Sequence, residues 1–571
     1  MTTSKDSTGK NRLFSWLVSA FVLIALIVLG LYAWLWWLTA NASVSTHGTV
    51  DLGPGNIEIP STRREPTANQ SALTQSVIQH WADQDFSDWQ LEGKVDMVRV
   101  LIGKLAAKRD IEAVNDYILA AHVRGTVGST SYFHPGGDYD FTLAGLCLLL
   151  YTFGDSPELL YPDTVEHIVN VLMTEQGGTP IEFTPRILGL PLRDTENHIL
   201  MTEGSRYLKN RWLQQHGNED AQFDNATNGL EHFLLDDLAR MERAGFHEYN
   251  SRPYIGYTLT ALLNLQSFAA EPVSEAATRI LDRANWEYAL GSLQLRRFPP
   301  FRRQPAHAPD TDLDGDYHTA MIKSWLSLSH KTVSPMEIRS GLHHAIWVPF
   351  TSYRLPDETA EWLVKKPTNY FVQIGHGHDG SPEIYSGAEH FLISAGGVAR
   401  DQFKQAVARP TTLMLNDNKL ELKDLLQITG SGDDYRRWNN TGVYKQFAVG
   451  ARLIVPNTWQ PTVTQGPWAL YLQSGVAIVS YAAPTVALFY VLPPGEPVSQ
   501  LEQLMANNNT ETVQHQFTNI ANEVIQFDIN VATHDWVITN VSNKPPLNRN
   551  ILSWSLMSGQ IGADQIQTGP N

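Results

Sequence analysis

The chain has 571 residues, 43% of them hydrophobic and 18% charged, which is enough for two packed domains and shows no compositional sign of disorder. Its formal net charge of −17 argues against nucleic acid as a partner, because binding to phosphates relies on a basic surface. The single cysteine, Cys147, excludes an intramolecular disulfide, which is unusual for a small secreted eukaryotic module.

The N-terminal part of the chain is strongly apolar. Residues 13–40 contain no charged residue, and Trp16 and Trp37 near the two ends resemble the aromatic belts of membrane interfaces. Ala40-Asn41-Ala42 can alternatively be read as a signal-peptidase site, but the apolar run is about twice as long as that of a signal peptide. We therefore predict an uncleaved transmembrane anchor over residues 13–40, with the membrane as a partner.

The positive charges around this segment predict its orientation. Lys5, Lys10 and Arg12 lie in residues 1–12, whereas the first Lys or Arg after the span is Arg63. The positive-inside rule then makes residues 1–12 a cytoplasmic tail and places the bulk of the protein in the periplasm or outside the cell.

The remaining chain changes character twice. Residues 41–70 are rich in Gly, Pro, Ser and Thr and are predicted to be a linker. Apolar residues recur at helical spacing through residues 71–337. Residues 338–571 instead hold short runs rich in Val, Ile and Tyr, such as 475–481, between Gly, Pro and Asn turns. The pattern predicts an α+β multidomain chain in which a helical domain precedes an antiparallel β-sandwich.

A first polar cluster, Glu196-Asn197-His198, runs into a helical pattern. The carboxamide of Asn197 is suited to donate hydrogen bonds to a substrate carboxylate. The structural alternative is that Asp194 or Thr195 caps the helix and the next residues fill its first turn. Because adjacent residues on a helix diverge by about 100°, Asn197 and His198 are not expected to face the same substrate atom.

A second cluster lies about fifty residues later and supplies groups for proton transfer and substrate binding: His247, Glu248, Asn250, Arg252, Tyr254 and Tyr257. The two tyrosines share a helix face if a helix begins by Pro253. A free tyrosine has a pKa near 10, so Arg252 would help one of them ionise and act as a base. The alternative is two core aromatics, and the pattern leaves His198 and His247 open as the other proton-transferring group.

Carboxylates near these clusters suggest glycoside hydrolysis as an alternative reaction. Asp138 and Asp140 precede an apolar helix, where they can bind sugar hydroxyls or cap the helix. Placed opposite Glu196 or Glu248, they would suit an inverting glycoside hydrolase, whose two carboxylates lie about 6.5–9.5 Å apart.

The densest positive cluster is Arg296, Arg297, Arg302 and Arg303. A polyanionic substrate needs a local basic lining on so acidic a protein, and we assign Arg302 and Arg303 to that lining. The alternative is a solvated loop with scattered surface pairs.

Two segments resemble metal-binding motifs, although proton transfer by the side chains named above requires no cofactor. His376 and His378 alternate on a predicted strand and would share a structural zinc with a third ligand, or line the cleft, or only pack. Residues 310–316 begin like an EF-hand calcium loop, but Met321 stands where that loop has Glu. The alternatives are an acidic loop with a Gly turn, which the broken match favours, and a weak calcium site of another geometry.

Both polar clusters resemble active-site segments of the (α/α)-toroid polysaccharide lyases. Asn197 followed by His247 and Tyr254-Ile255-Gly256-Tyr257 is similar to the chondroitin AC and hyaluronate lyases. Asn197-His198 with Arg252 and Tyr257 is similar to the alginate lyases of this fold. The segment His376 to Asp379 resembles a motif at the start of the β-sandwich of heparinase II/III-like lyases, with Asp379 one place early.

The resemblance implies an (α/α) toroid followed by a β-sandwich, and a membrane-anchored lyase that cleaves an acidic, uronic-acid-containing polysaccharide by β-elimination. Asn197 would neutralise the uronate, His198 or His247 would transfer protons together with Tyr254 or Tyr257, and Arg252 would bind the carboxylate or activate the tyrosine. The alternatives are a hydrolase on the same scaffold, a uronyl epimerase, and a non-catalytic envelope protein that binds glycan.

Overall fold

The computed structural model describes residues 7–41, 51–64, 71–89, 97–122, 139–173, 186–187, 190–191, 195–252, 254–329, 337–377, 381–397, 406–430, 441–531 and 534–562. Side chains of the first helix are described for residues 14–35. Asp138 and His378, two of the predicted site residues, lie outside the described residues.

The helices are Ser7–Asn41 (α1), Ala72–Ala82 (α2), Met97–Ala106 (α3), Ile111–Ala120 (α4), Asp140–Phe153 (α5), Pro162–His167 (α6), Glu196–Gln215 (α7), Leu230–Ala244 (α8), Tyr254–Phe268 (α9), Glu271–Leu290 (α10), Tyr317–Ser327 (α11), Leu342–Ala345 (α12), Asp357–Val364 (α13) and Pro497–Asn507 (α14). The predicted helical N-terminal part is confirmed.

The strands are Arg186–Ile187 (β1), Leu190–Pro191 (β2), Phe301–Arg302 (β3), Tyr370–Ile374 (β4), Glu383–Ala388 (β5), Phe391–Gly396 (β6), Ala406–Val407 (β7), Arg409–Leu415 (β8), Leu426–Thr429 (β9), Gly442–Tyr444 (β10), Phe447–Gly450 (β11), Arg452–Ile454 (β12), Val463–Gln465 (β13), Trp468–Gln473 (β14), Val476–Ala482 (β15), Ala487–Val491 (β16), Gln516–Thr518 (β17), Val524–Phe527 (β18), Ile538–Val541 (β19) and Ser558–Ile561 (β20). The predicted C-terminal strands are confirmed, and their ladders are antiparallel.

Within the described residues the strands form three larger sheets. A seven-stranded sheet has the order β12-β9-β8-β6-β5-β4-β20, and a six-stranded sheet has the order β10-β11-β16-β15-β14-β13. The strands β17, β18 and β19 form a smaller sheet. The first strand of the large sheet begins at Tyr370, and α12 and α13 precede it, so the helical part continues beyond residue 337 to Val364.

The large sheet lies between two hydrophobic cores because its strands are apolar on both faces. Tyr370 and Val372 join the core of the helices, whereas Phe371 between them joins a second core shared with the six-stranded sheet. Successive side chains of a strand point to opposite faces. The large sheet therefore packs on the helices through one face and on the six-stranded sheet through the other.

One helix of the described chain is long and apolar enough to cross a membrane. Its apolar stretch, Phe14–Leu35, has 22 residues, and none of it is buried inside the protein. At about 1.5 Å per residue it spans the roughly 30 Å of a bilayer core.

The segment between this helix and the helical domain is an extended strap over residues 51–64. Gly55 forms a parallel bridge with Met557, and the side chain of Asn56 exchanges two hydrogen bonds with the backbone of Gly559 at 2.8 and 2.9 Å. Farther along, Arg63 pairs with the buried Asp282 of α10. The predicted linker therefore contains a part that is bound to both the helices and the large sheet.

Candidate active site

The two predicted polar clusters meet at the N-terminal ends of α7 and α9. The carboxylate of Glu196, at the start of α7, accepts hydrogen bonds from the backbone N–H groups of His247 and Glu248, both at 3.0 Å. Both oxygens of this buried carboxylate thus hold the loop that leads into α9. Glu196 fixes the relative position of the two clusters, and His247 is half-buried beside it.

Asn197 lies in the first turn of α7 with a completely buried side chain. Its Oδ1 accepts a hydrogen bond from the hydroxyl of Thr195, the N-terminal capping position. Its Nδ2 has no hydrogen-bond partner among the described residues. A buried amide donor without a partner carries a desolvation cost of about 1–3 kcal/mol, which a substrate acceptor would relieve.

His198 is buried against α5. Its Nδ1 lies 2.5 Å from Oδ2 of Asp140, and its ring makes an edge contact with Phe141 at a centroid distance of 5.4 Å. Asp140 is completely buried, so its carboxylate serves the histidine rather than solvent. A carboxylate on one imidazole nitrogen fixes the tautomer and leaves proton exchange to the other.

Arg303 connects the two clusters. Its Nη1 donates to Glu248 Oε1 at 2.5 Å and to Thr195 Oγ1 at 3.1 Å, and its guanidinium lies over the ring of Tyr254 at 4.4 Å. The next residue, Gln304, donates to the hydroxyl of Tyr254 at 2.8 Å. Asn197, through Thr195, and Tyr254 thus belong to one polar network centred on Arg303.

The backbone of this turn is held in an unusual conformation. Arg303 and Gln304 have φ values of 71° and 58°, in the left-handed region. Such non-glycine conformations cost of order 1–3 kcal/mol each and persist where the surroundings impose them. In this turn both side chains contact Tyr254.

Glu248 has the perturbed acidity expected of a buried carboxyl. Burial raises its pKa, the guanidinium of Arg303 opposes the shift, and the neighbouring Glu196 adds to it. Its Oε2 has no partner among the described residues.

Tyr257 occupies a different environment from Tyr254. Its ring packs on Phe141 at 4.3 Å and on His344 at 4.5 Å. Burial lowers the pKa of His344 well below its ordinary value, with His343 and Arg99 adding to the effect, so this histidine is neutral. The two tyrosines were predicted to share a helix face, but they have different partners. Tyr254 contacts Arg303 and Gln304, whereas Tyr257 packs on Phe141 and His344.

The guanidinium over Tyr254 is that of Arg303, not of Arg252. Arg252 Nη2 donates to the carbonyl of Asp312 at 3.2 Å, and Nη1 lies 3.8 Å from Asp310. It binds the acidic loop 310–316. In that loop Asp314 pairs with Lys323 at 2.7 Å, so part of the predicted calcium-binding charge is already balanced by protein cations.

The predicted arginine cluster is largely buried. Arg296, Arg297 and Arg302 are each at most 7% exposed. Arg297 donates to Oδ1 of Asn250, whose Nδ2 donates to the carbonyl of Pro300 at 3.1 Å. Asn250, predicted to bind substrate, thus fixes the arginine-rich loop against the second cluster.

The large sheet contributes His376. Its ring stacks on Tyr249 at a centroid distance of 3.8 Å, and its Nε2 lies 2.7 Å from Oε1 of Glu383. Although burial opposes it, hydrogen bonding to His376 and Tyr385 holds the pKa of Glu383 below its ordinary value. In the described part of the chain no three His, Cys, Asp or Glu side chains cluster as metal ligands. The predicted zinc set therefore reduces to His376, beside the undescribed His378.

Two residues of this site, Gln304 and Glu383, had no signal of their own in the sequence. Thr195 was predicted only as a possible helix cap, and Tyr249 lies inside the second polar cluster without having been singled out. Comparison with known proteins finds no family model that matches this chain and no curated protein that is similar to it.

Proposed function

We propose that the protein is a membrane-anchored polysaccharide lyase that cleaves a uronic-acid-containing chain by β-elimination. The proposal includes an (α/α) toroid for the helical part and a β-sandwich for the paired sheets. The helix-then-sheet order and the shared apolar cores support that architecture. The site at the ends of α7 and α9 supports the chemistry.

The observation that carries the proposal is the side-chain amide of Asn197, whose Nδ2 has no hydrogen-bond partner among the described residues. Its Nδ2 is buried, while Thr195 fixes the other end of the carboxamide. Abstraction of the C5 proton of a uronate places negative charge on the carboxylate, and a preorganised donor stabilises that charge most in the transition state. Asn197 is the group we assign to it.

We assign proton transfer to Tyr254 and His198. The base takes the C5 proton, the C–H electrons form the C4–C5 double bond, and the C4–O bond breaks as the leaving oxygen gains a proton. Tyr254, which lies under the guanidinium of Arg303 and accepts a hydrogen bond from Gln304, is the group we assign to the first step. His198, held by Asp140, is suited to donate the second proton.

Glu248 favours a second candidate, a glycoside hydrolase. A buried carboxyl with a raised pKa, one of whose oxygens has no partner among the described residues, is suited to act as a general acid. A hydrolase needs a second carboxylate for the base. Glu196 accepts hydrogen bonds from backbone N–H groups, and Asp140 pairs with His198. Neither carboxylate is therefore available as that base, and the lyase is the better candidate.

The test is to incubate the full-length protein in detergent with polyuronates and glycosaminoglycans. A lyase produces the ultraviolet absorbance of a C4–C5 unsaturated uronyl end. Reducing ends without that absorbance would establish the hydrolase. A changed sugar configuration without cleavage would establish the epimerase. Binding without any product would support the envelope-protein alternative.

Variants link the activity to this site. Asn197→Ala should lower turnover by about 10²-fold or more, the scale of losing one transition-state donor. Asn197→Asp should lower it at least as much, because a carboxylate repels the uronate. Asn218→Ala, beyond the other end of α7, is the control and should keep the wild-type rate.

We also propose that α1 anchors the enzyme with its N-terminus in the cytoplasm and its bulk in the periplasm or outside the cell. The length and apolarity of Phe14–Leu35 support the anchor, and the basic residues before it support the orientation. Protease added to the outer side should degrade the bulk of the protein in intact membranes. A soluble form released by cleavage after Ala42 would contradict the anchor.

A further inference from the structure

The sheet region has a cavity of its own, with a volume of about 570 Å³. It lies where the β10–β11 turn, the end of β16, the β17–β18 turn and the residues after β19 meet. None of its lining residues belongs to the network around Arg303. Its volume falls within the roughly 300–1,000 Å³ of small-ligand sites.

Two tyrosines form one wall of this sheet cavity. Tyr444 and Tyr490 bury their rings, Tyr444 against Phe371 and Tyr490 against Phe517. Burial, and secondarily the carboxylate of Glu523, raises the pKa of both phenols, so both remain protonated donors. Within the described chain no hydrogen bond satisfies either hydroxyl, although both border the cavity.

The lining of the cavity also carries cations and amides on turns in the left-handed conformation. Lys445, Asn522 and Asn543 have φ values of 50°, 60° and 60°, in the left-handed region. Asn543 and the adjacent Lys544 are exposed at the cavity rim. Three turns in this conformation around one cavity bring cationic and amide side chains beside the phenols, and the ammonium of Lys445 lies 5.6 Å from the ring centre of Tyr444.

We propose that this sheet cavity is an accessory binding site for an acidic saccharide unit of the same polymer that the candidate active site cleaves. The identification of the polymer rests on the proposed function. Lys445 and Lys544 bind the uronate carboxylate. Tyr444 and Tyr490 donate to sugar oxygens, and Glu523 accepts from a sugar hydroxyl. The site retains a long chain on the enzyme without contacting the bond that is broken.

The cavity composition favours a saccharide over an apolar ligand. Phenol, amide, ammonium and carboxylate groups together match a ligand that carries many hydroxyls and one negative charge. The charged residues of the lining are two lysines and one glutamate, on a protein of net charge −17. A neutral sugar would have no negative charge to pair with these lysines.

Binding of tetragalacturonate to the full-length protein in detergent tests the proposal, with Asn197→Ala as background to prevent turnover. Two molecules should bind per chain. Adding Lys544→Gln and Tyr490→Phe should remove one of them, or weaken it at least tenfold, whereas adding Lys423→Gln, outside the cavity, should change nothing. An unchanged melting temperature would show that the fold is intact.

The result that overturns the proposal is unchanged stoichiometry and affinity in the Lys544→Gln, Tyr490→Phe protein. Equal binding of neutral cellotetraose at the same site would overturn its preference for acidic sugars. In the active background, the two substitutions should slow cleavage of long polymer several-fold and leave cleavage of a trisaccharide unchanged. If no polymer is cleaved but the second binding event is lost with Lys544 and Tyr490, the accessory site stands and the proposed lyase function falls.

Discussion

Nδ1 of His198 lies 2.5 Å from Oδ2 of Asp140, although 58 positions separate the two residues in the chain. Both side chains are at most 4% exposed. The contact joins the first turn of α5 to the first turn of α7, and it makes Asp140 a positioning residue for a histidine of the candidate site.

Asp140→Asn should lower turnover on a confirmed substrate by about 10²-fold or more, because an amide neither fixes the tautomer nor balances the imidazolium. The limb of the pH–rate profile that belongs to His198 should also move to lower pH. Asp163→Asn, in the exposed first turn of α6, is the matched control. A lower rate with an unshifted profile would mean that Asp140 only supports packing.

The two tyrosines of α9 should respond differently to loss of their hydroxyl groups. Tyr254→Phe removes the oxygen that Gln304 binds next to Arg303, and turnover should fall by about two orders of magnitude or more. Tyr257→Phe keeps the ring contacts with Phe141 and His344 and should cost far less. Comparison of kcat and KM for the two variants decides the assignment, and the reverse order would transfer the role to Tyr257.

The sequence predicted which segments meet but not which side chains join them. Asn197 and Tyr254 stand in recognisable polar clusters, whereas Arg303 was one of four arginines in its loop. Its contacts with Thr195 and Glu248 span 108 and 55 positions and depend on a left-handed turn that no residue pattern signals.

Sequence analysis did not identify the contacts of the strap or those of His376, for related reasons. Residues 51–64 have no periodicity because backbone groups and isolated side chains, rather than a repeating apolar face, attach them to the body. His376 was recognised as a possible ligand, but its stacking on Tyr249 joins the sheet to the helical part. Such a contact is visible only in three dimensions.

Gly256 permits the close packing of α9 on α12. A Cβ atom at this position would lie 2.4 Å from the ring of His344, which also packs against the ring of Tyr257. Gly256→Ala should therefore destabilise the fold by about 1–3 kcal/mol, the usual cost of overpacking. Gly204→Ala is the control, since its Cβ would meet Leu265 at 3.5 Å, an ordinary contact. Thermal unfolding should show a fall for the first variant and no fall, or a gain, for the second.

Arg63 attaches the strap to α10, and its contribution to stability should depend on pH. Burial raises the pKa of Asp282 to about 6, against the opposing effects of Arg63 and Tyr353. The unfolded carboxyl titrates near 3.9. Between these values the folded state holds a proton that the unfolded state has lost, so the free energy of unfolding decreases as pH rises from about 4 to 6.

Arg63→Gln removes the cation that stabilises the ionised Asp282. At about pH 8 the carboxylate is charged, and the loss should lie between the roughly 1 kcal/mol of an exposed pair and the 3–5 kcal/mol of a buried one. At about pH 5 Asp282 is mostly protonated, so the loss should be smaller. Arg64→Gln, which removes a pair with Asp357 from a side chain that is 75% exposed, should have little effect at either pH. Denaturant unfolding at the two pH values measures the difference, and an equal loss at both would show that Arg63 stabilises the strap through its bond to the carbonyl of Arg354 rather than through Asp282.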